Sequence, residues 1–68
     1  MITSERRDGP TPAGGAYSVM YYLDMQHNAV DKEAATVLRI CEYDEQGKLL
    51  FETLGFSSQN SNKHPPEA

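Results

Sequence analysis

The chain has 68 residues, of which 38% are hydrophobic and 24% are charged, with a formal net charge of -4 and a single cysteine. A chain of this length holds one domain, which buries only about 60% of the surface that the unfolded chain exposes. The composition excludes an internal disulfide and an ordinary four-ligand zinc site, and the acidic balance argues against direct nucleic-acid binding. Self-association is a common stabiliser of small scaffolds, and we predict a homodimer formed through the apolar sheet face or an edge strand.

No segment predicts export or membrane insertion. Residues 1–8 lack the apolar run of a signal peptide. No apolar stretch approaches the roughly 18 residues that a membrane span needs, so we predict no membrane partner. With one thiol and no secretion signal, a cytoplasmic location is expected.

Residues 1–15 are predicted to form a flexible arm. The segment from Asp8 to Gly15 contains two prolines and three glycines, a composition that is typical of unfolded chain. The alternative is an extended segment that docks along a sheet edge or in the groove of a partner.

Residues 16–24 are predicted to form a first strand. Alternation places Tyr17, Val19, Tyr21 and Leu23 on one face. The strand carries three tyrosines, a residue type that is enriched in protein-contact patches. We therefore name Tyr17, Tyr21 and Tyr22 as candidate protein-contact residues. The alternative is that they are ordinary sheet residues with hydroxyls at the rim.

Residues 25–35 connect this strand to the next. Gln26, His27 and Asn28 indicate a turn. Asp31 is a suitable N-cap for a short helical turn over residues 32–35, because its carboxylate can accept a free N–H of the first turn. The β-branched pair that begins at Thr36 starts the second strand.

The second and third strands are predicted to form a hairpin. A type I turn over residues 44–46 needs a following residue with positive φ, which Gly47 provides, and the Asp44 carboxylate can accept N–H groups just ahead of it. Counting back from the turn, the expected opposed pairs are Tyr43 with Leu49, Cys41 with Phe51, and Arg39 with Thr53. Both faces of the sheet would then carry apolar side chains.

The predicted fold class is mainly β, in a small α+β arrangement. We expect a three-stranded antiparallel meander with one short helical turn between strands 1 and 2. One β-rich domain would cover residues 16–56, between a disordered N-terminal arm (residues 1–15) and a disordered C-terminal tail (residues 57–68), which is polar and has no apolar anchor.

The residues that could support catalysis or metal binding are few and scattered. Cys41 could act as a nucleophile with His27 or His64, but the sequence places neither base beside it. A buried strand cysteine is the favoured interpretation. Asp24, His27 and Asp31 match no known metal-ligand spacing. We predict no catalytic residue, no metal and no cofactor, and hence no enzyme.

An acidic group lies near the hairpin tip and consists of Glu42, Asp44 and Glu45. Such a group could imitate nucleic-acid phosphates and occupy the binding site of a basic protein. The alternative is a charged surface that keeps the protein soluble. We include Glu42, Asp44 and Glu45 among the candidate protein-contact residues.

Two resemblances are visible. The hairpin sequence from Glu42 to Leu49, with Tyr-Asp before a glycine turn and a leucine after it, resembles one unit of the YD repeats of bacterial toxin shells. The second resemblance is to small bacterial or phage-encoded proteins of unknown function. It is carried by the arm motif that begins at Arg7, the glycine pair, the tyrosines and the Val-Asp-Lys segment that begins at Val30. That resemblance spans about residues 7–56 and implies no particular activity.

These observations favour a non-enzymatic protein-interaction module from a bacterium or a phage, with an unidentified protein partner. The arm and the tyrosine-bearing strand are the expected contact surfaces. The first alternative is an acidic inhibitor that competes with nucleic acid for a basic protein. The second is a small oligomeric enzyme that uses Cys41 or His27.

Overall fold

The computed structural model describes residues 1–57, which form a four-stranded antiparallel sheet. The strands are β1 (Ser4–Asp8), β2 (Tyr17–Leu23), β3 (Val37–Tyr43) and β4 (Leu49–Phe56), and they neighbour one another in chain order. A 3₁₀ turn over Lys32–Ala34 lies between β2 and β3. Apart from Ser57, the predicted C-terminal tail lies outside the described residues.

The mainly β antiparallel class is confirmed, but the predicted count of three strands is corrected to four. The three predicted strands correspond to β2, β3 and β4. The additional strand, β1, comes from the segment that was predicted to be a flexible arm. The short helical turn follows Asp31 as expected, and the Asp31 carboxylate accepts the Glu33 N–H at 3.1 Å. Because β1 precedes the three predicted strands, this turn lies between the second and third strands of the structure and not between the first and second.

Polar contacts attach β1 to the open side of β2. The Tyr22 N–H donates to the Thr3 carbonyl at 2.8 Å, and the Lys32 N–H donates to the Ile2 carbonyl at 2.7 Å. The Ile2 N–H donates to the Asp31 carboxylate at 3.0 Å, and this bond is the largest cause of the lowered pKa of Asp31. The arm therefore docks along a sheet edge, which was the alternative interpretation of the sequence.

Two turns of the chain share one hydrogen-bond pattern. The Asp44 carboxylate accepts the N–H groups of residues 46 and 48, and Gly47 has φ 84°. This confirms the predicted hairpin turn. The Asp24 carboxylate likewise accepts the N–H groups of residues 26 and 28, and His27 has φ 68°. His27 therefore occupies the left-handed position that a glycine fills in the second turn.

A β-bulge near Tyr43 changes the predicted register of β4. Tyr43 opposes Leu49 as expected, but the register shifts between Glu42 and Tyr43, so that Cys41 opposes Glu52 instead of Phe51. The expected pairing of Arg39 with Thr53 is likewise wrong, because Arg39 opposes Leu54. A shift of one residue exchanges the faces of all following side chains.

The shift sets the composition of the two faces. The register gives the first face, here called the Cys41 face, the residues Tyr17, Val19, Tyr21, Leu23, Val37, Arg39, Cys41, Tyr43, Glu52, Leu54 and Phe56. It gives the opposite face, here called the Met20 face, the residues Ser18, Met20, Tyr22, Leu38, Ile40, Glu42, Phe51, Thr53 and Gly55. Leu54 and Phe56 therefore lie on the face of Cys41, whereas the unshifted count puts them opposite it.

Few apolar side chains are fully buried. Within residues 1–57 the buried hydrophobic set is Tyr22, Leu23, Ala35, Val37 and Cys41. All five lie in β2, β3 or the connection between them. The interior is therefore concentrated in the central strands, and the apolar side chains of the last strand lie outside it.

Candidate protein-contact surface

Two of the predicted contact tyrosines lie together on the Cys41 face. Tyr17 stacks on Tyr43 with 5.1 Å between the ring centroids, and the Arg6 guanidinium lies 4.0 Å from the Tyr17 centroid. Hydrogen bonding with Tyr21, followed by burial, raises the pKa of Tyr43. The rings of Tyr17 and Tyr21 are half-buried. They form an aromatic cluster that is largely occupied by contacts within the chain.

The third candidate, Tyr22, lies on the Met20 face and is buried. Its hydroxyl donates a hydrogen bond to the Glu5 carboxylate. This bond, with a smaller contribution from burial, raises the pKa of Tyr22 to about 12, and it lowers the pKa of Glu5. Lys32 lies 3.6 Å from the same carboxylate. Tyr22 therefore anchors β1 to the sheet and presents little surface to a partner.

The acidic group is divided between structural and exposed positions. Glu42 is only 7% exposed, and its carboxylate accepts the Ala13 N–H at 2.9 Å. The Asp44 carboxylate is occupied by the backbone of the hairpin turn. Glu45 is exposed at the tip. Two of the three carboxylates thus hold the chain in place, and within the group Glu45 is the exposed carboxylate that a basic partner could contact directly.

The structure does not bring the candidate catalytic residues together. Cys41 is 1% exposed and lies in the middle of β3, opposite Val19. His27 is exposed in the turn that follows Leu23, and four strand residues, or about 13 Å, separate Leu23 from the position of Val19. His64 lies outside the described residues. Asp24 and Asp31 accept backbone N–H groups at separate turns, which lowers the pKa of each.

The surface beside β1 is concave. An open depression of about 480 Å³ lies beside β1 and is lined by Glu5, Arg6, Arg7, Ser18, Met20 and Ile40. Within residues 1–57, no group of three or more histidine, cysteine, aspartate or glutamate side chains is arranged to hold a metal ion. Among the same residues, no helix is long and apolar enough to cross a membrane.

The most exposed apolar side chains in the sheet lie on β4. Five of its eight residues are large hydrophobics that are between 43% and 74% exposed, namely Leu49, Leu50, Phe51, Leu54 and Phe56. β4 is an edge strand, and its side chains lie on both faces of the sheet. We refer to these five side chains and the outer backbone of the strand as the β4 surface.

The sequence did not single out the β4 surface as a contact site. Tyrosines and acids are the residue types whose chemistry most directly indicates contact surfaces in a sequence. A usable signal was present: the run from Leu49 to Phe56 combines five large apolar residues with one charge. The predicted strand order places this run at an edge of the sheet, but it does not show that the five apolar side chains stay exposed there.

Residues 1–57 define the class of the protein as a small, mainly β domain built on a four-stranded antiparallel sheet. No protein-family model matches the sequence, and no curated protein or solved structure is significantly similar to it. The resemblances to YD repeats and to small bacterial or phage-encoded proteins stay predictions.

Proposed function

We propose that this chain is a non-enzymatic protein-interaction module whose contact surface is the β4 surface. The observation that carries the proposal is the exposure of five large apolar side chains on one edge strand. Exposed apolar patches of this kind mark sites of protein association. An exposed strand edge adds backbone donors and acceptors that another chain can pair with.

The contact surface thus differs from the one expected from the sequence. The tyrosines make most of their contacts within the chain, and β1 is part of the sheet. If residues 1–15 were a flexible arm, deleting them would test their part in partner binding without unfolding the sheet. In the structure, that deletion would remove β1. Substitutions on β4 test the proposal without that complication, because their side chains are already exposed.

Affinity capture with the full tagged chain from its source cells tests the proposal. Phe56→Ser and Leu54→Ser should each abolish capture of a bound protein, whereas Glu45→Gln at the hairpin tip should leave it unchanged. Apolar contacts should also retain the partner at about 1 M salt, where the Debye length falls to about 3 Å. Capture that survives both β4 substitutions would refute the proposal.

The alternative function, an acidic inhibitor that competes with nucleic acid, predicts the opposite results. Binding through Glu45 should be lost at high salt and after Glu45→Gln, and it should survive Phe56→Ser. The buried state of Glu42 and the turn bonds of Asp44 weaken that alternative. The enzyme alternative requires Cys41 or His27, and full function after Cys41→Ser and His27→Ala would end it.

A further inference from the structure

We infer that the partner at the β4 surface is a second copy of this chain, paired edge to edge through β4 in one specific register. The inference rests on the proposed function, because it names the partner for the same surface. It depends on three features of the described residues: the contrast between the two edges of the sheet, the direction of the β4 backbone groups, and the order of side chains along β4.

The two edges of the sheet differ in their resistance to pairing. β1 has the sequence Ser-Glu-Arg-Arg-Asp, with four consecutive charges, and all five residues are exposed. Charges of this density discourage a further strand. β4 carries one charge, Glu52, which forms an ion pair with Arg39 of the adjacent strand. Only the β4 edge therefore combines open backbone with a nearly uncharged sequence.

Alternate residues of β4 direct their backbone groups away from β3. The Ser57 N–H donates to the Thr36 carbonyl at 3.1 Å. Bonds of an antiparallel ladder recur at every second residue, so the residues two, four and six before Ser57 also bond inward. The residues between them point their N–H and C=O groups outward, and these are Glu52, Leu54 and Phe56. Within residues 1–57 no strand pairs with this side of the sheet.

The outward groups limit a symmetric antiparallel pair to a few registers. In such a pair a two-fold axis relates the two β4 strands. The axis can pass through Glu52, Thr53 or Leu54, because each of these positions places the outward N–H and C=O groups of one strand opposite those of the other. An axis at Glu52 would oppose like charges directly, which is destabilising. An axis at Leu54 would oppose Phe51 to Ser57, which follows the last residue of β4.

An axis at Thr53 gives a self-complementary strand. Thr53 opposes its own copy, and threonine pairs of this kind are favourable across strands. Phe51 of each chain then opposes Gly55 of the other, where the absence of a side chain leaves room for the ring. An aromatic ring over a strand glycine is a known stabilising arrangement. No atom of the chain lies within 4 Å of a Cβ built on Gly55, so that space is open.

Directed disulfide formation in the full chain tests the register. Opposed residues of a non-hydrogen-bonded pair have Cα atoms about 4.5 Å apart, within the range that a disulfide bridges. Thr53→Cys should therefore form a covalent dimer with oxidised glutathione. The matched control is Arg7→Cys, an exposed strand position on the opposite edge. Cross-linking should be roughly tenfold or more faster for Thr53→Cys, since pairing raises the effective thiol concentration to about the millimolar range.

A second comparison uses the offset between strands. In the proposed register, residue 55 of one chain is displaced along the paired strands by four residues, or about 13 Å, from residue 55 of the other chain. This distance is too great for a disulfide. Gly55→Cys alone should not cross-link, whereas a mixture of Gly55→Cys and Phe51→Cys chains should. Cross-linking of Gly55→Cys alone, or equal rates for Thr53→Cys and Arg7→Cys, would overturn the register.

Sedimentation of the unmodified chain separates this inference from the proposed function. A dimer at micromolar concentration is the expected result, and a monomer would overturn the inference. If the monomer dimerises only after removal of residues 58–68, those residues cover β4, and the inference also fails. In either case the proposed function survives if a different protein is captured and is lost in Phe56→Ser. The proposed function fails, independently of this inference, if Phe56→Ser leaves the capture of that protein unchanged.

Discussion

Gly15 is the residue whose substitution tests how tightly the segment before β2 is held against the sheet. A Cβ built on Gly15 would lie 2.6 Å from the Tyr43 carbonyl oxygen and 2.9 Å from the Thr11 hydroxyl oxygen. Its φ lies outside the left-handed region, so alanine adds no backbone strain there. The Tyr43 carbonyl also accepts the Ala16 N–H at 2.8 Å. Gly15→Ala must therefore move this segment and lengthen that bond.

The expected cost follows from these two effects. Overpacking costs about 1–3 kcal/mol, and weakening one backbone hydrogen bond adds about 1 kcal/mol. The sum, about 2–4 kcal/mol, is large beside the roughly 3–10 kcal/mol of total stability that a domain of this length commonly has. A loss of that size lowers the unfolding midpoint by roughly 10–25 °C in a small domain.

Chemical and thermal unfolding followed by circular dichroism, at one fixed chain concentration, measures the loss. Gly14→Ala is the matched control. Gly14 has φ 85° with no neighbour within 4 Å of its Cβ, so alanine should cost only about 1 kcal/mol of backbone strain. If Gly15→Ala does not fold, the Gly14→Ala result still calibrates the backbone effect. A loss for Gly15→Ala that does not exceed the loss for Gly14→Ala would refute the steric reasoning.

Three further predictions follow from individual contacts. Glu42→Ala should lower the free energy of unfolding by about 1.5–3 kcal/mol in a urea titration, because it leaves the Ala13 N–H without its charged acceptor; no loss would mean that Glu42 is free to bind a partner. Glu5→Gln should lower the pKa of Tyr22 from about 12 toward 10 in a tyrosinate absorbance titration. A tyrosine whose pKa is raised in the folded state stabilises the fold fully below its unfolded pKa, and this stabilisation is lost as the pH rises through the folded pKa. Wild-type stability should therefore decline between about pH 10 and 12, and Glu5→Gln should reduce this decline, leaving the part that comes from the raised pKa of Tyr43. His27→Gly should raise the free energy of unfolding by about 0.5–1 kcal/mol, because φ 68° strains histidine; unchanged thermal stability would contradict it.

Most of the strand pattern was predictable because it depends on local chemistry. The alternation in residues 17–23 and the β-branched start at Thr36 predicted strands where the structure has them. The turn at Asp44 and Gly47 and the cap at Asp31 were also predictable, since each satisfies a backbone need within a few residues. These parts follow from steric and hydrogen-bond rules that act over a short span of chain.

The roles of the candidate contact residues were less predictable, because these roles depend on partners that are distant in the sequence. Glu42 and Glu45 have the same side chain and lie three residues apart, yet Glu42 is buried against Ala13 and Glu45 is exposed. The acceptor of Ala13 lies 29 residues away in the sequence. No local pattern separates these two carboxylates, and so the predicted acidic surface included both.

The sequence by itself determined the antiparallel meander from β2 to β4, its turns and its acidic balance, because propensity and alternation act between near neighbours. Only the tertiary structure decided that β1 joins the sheet, since the strand Ser-Glu-Arg-Arg-Asp has no apolar alternation and is held by backbone bonds and by Glu5 with Tyr22. The added strand also moved β2 from the edge of the predicted meander to the interior of the sheet. A bulge of one residue then placed Leu54 and Phe56 on the Cys41 face. Such a shift costs little locally, and it is fixed by pairing across the whole strand.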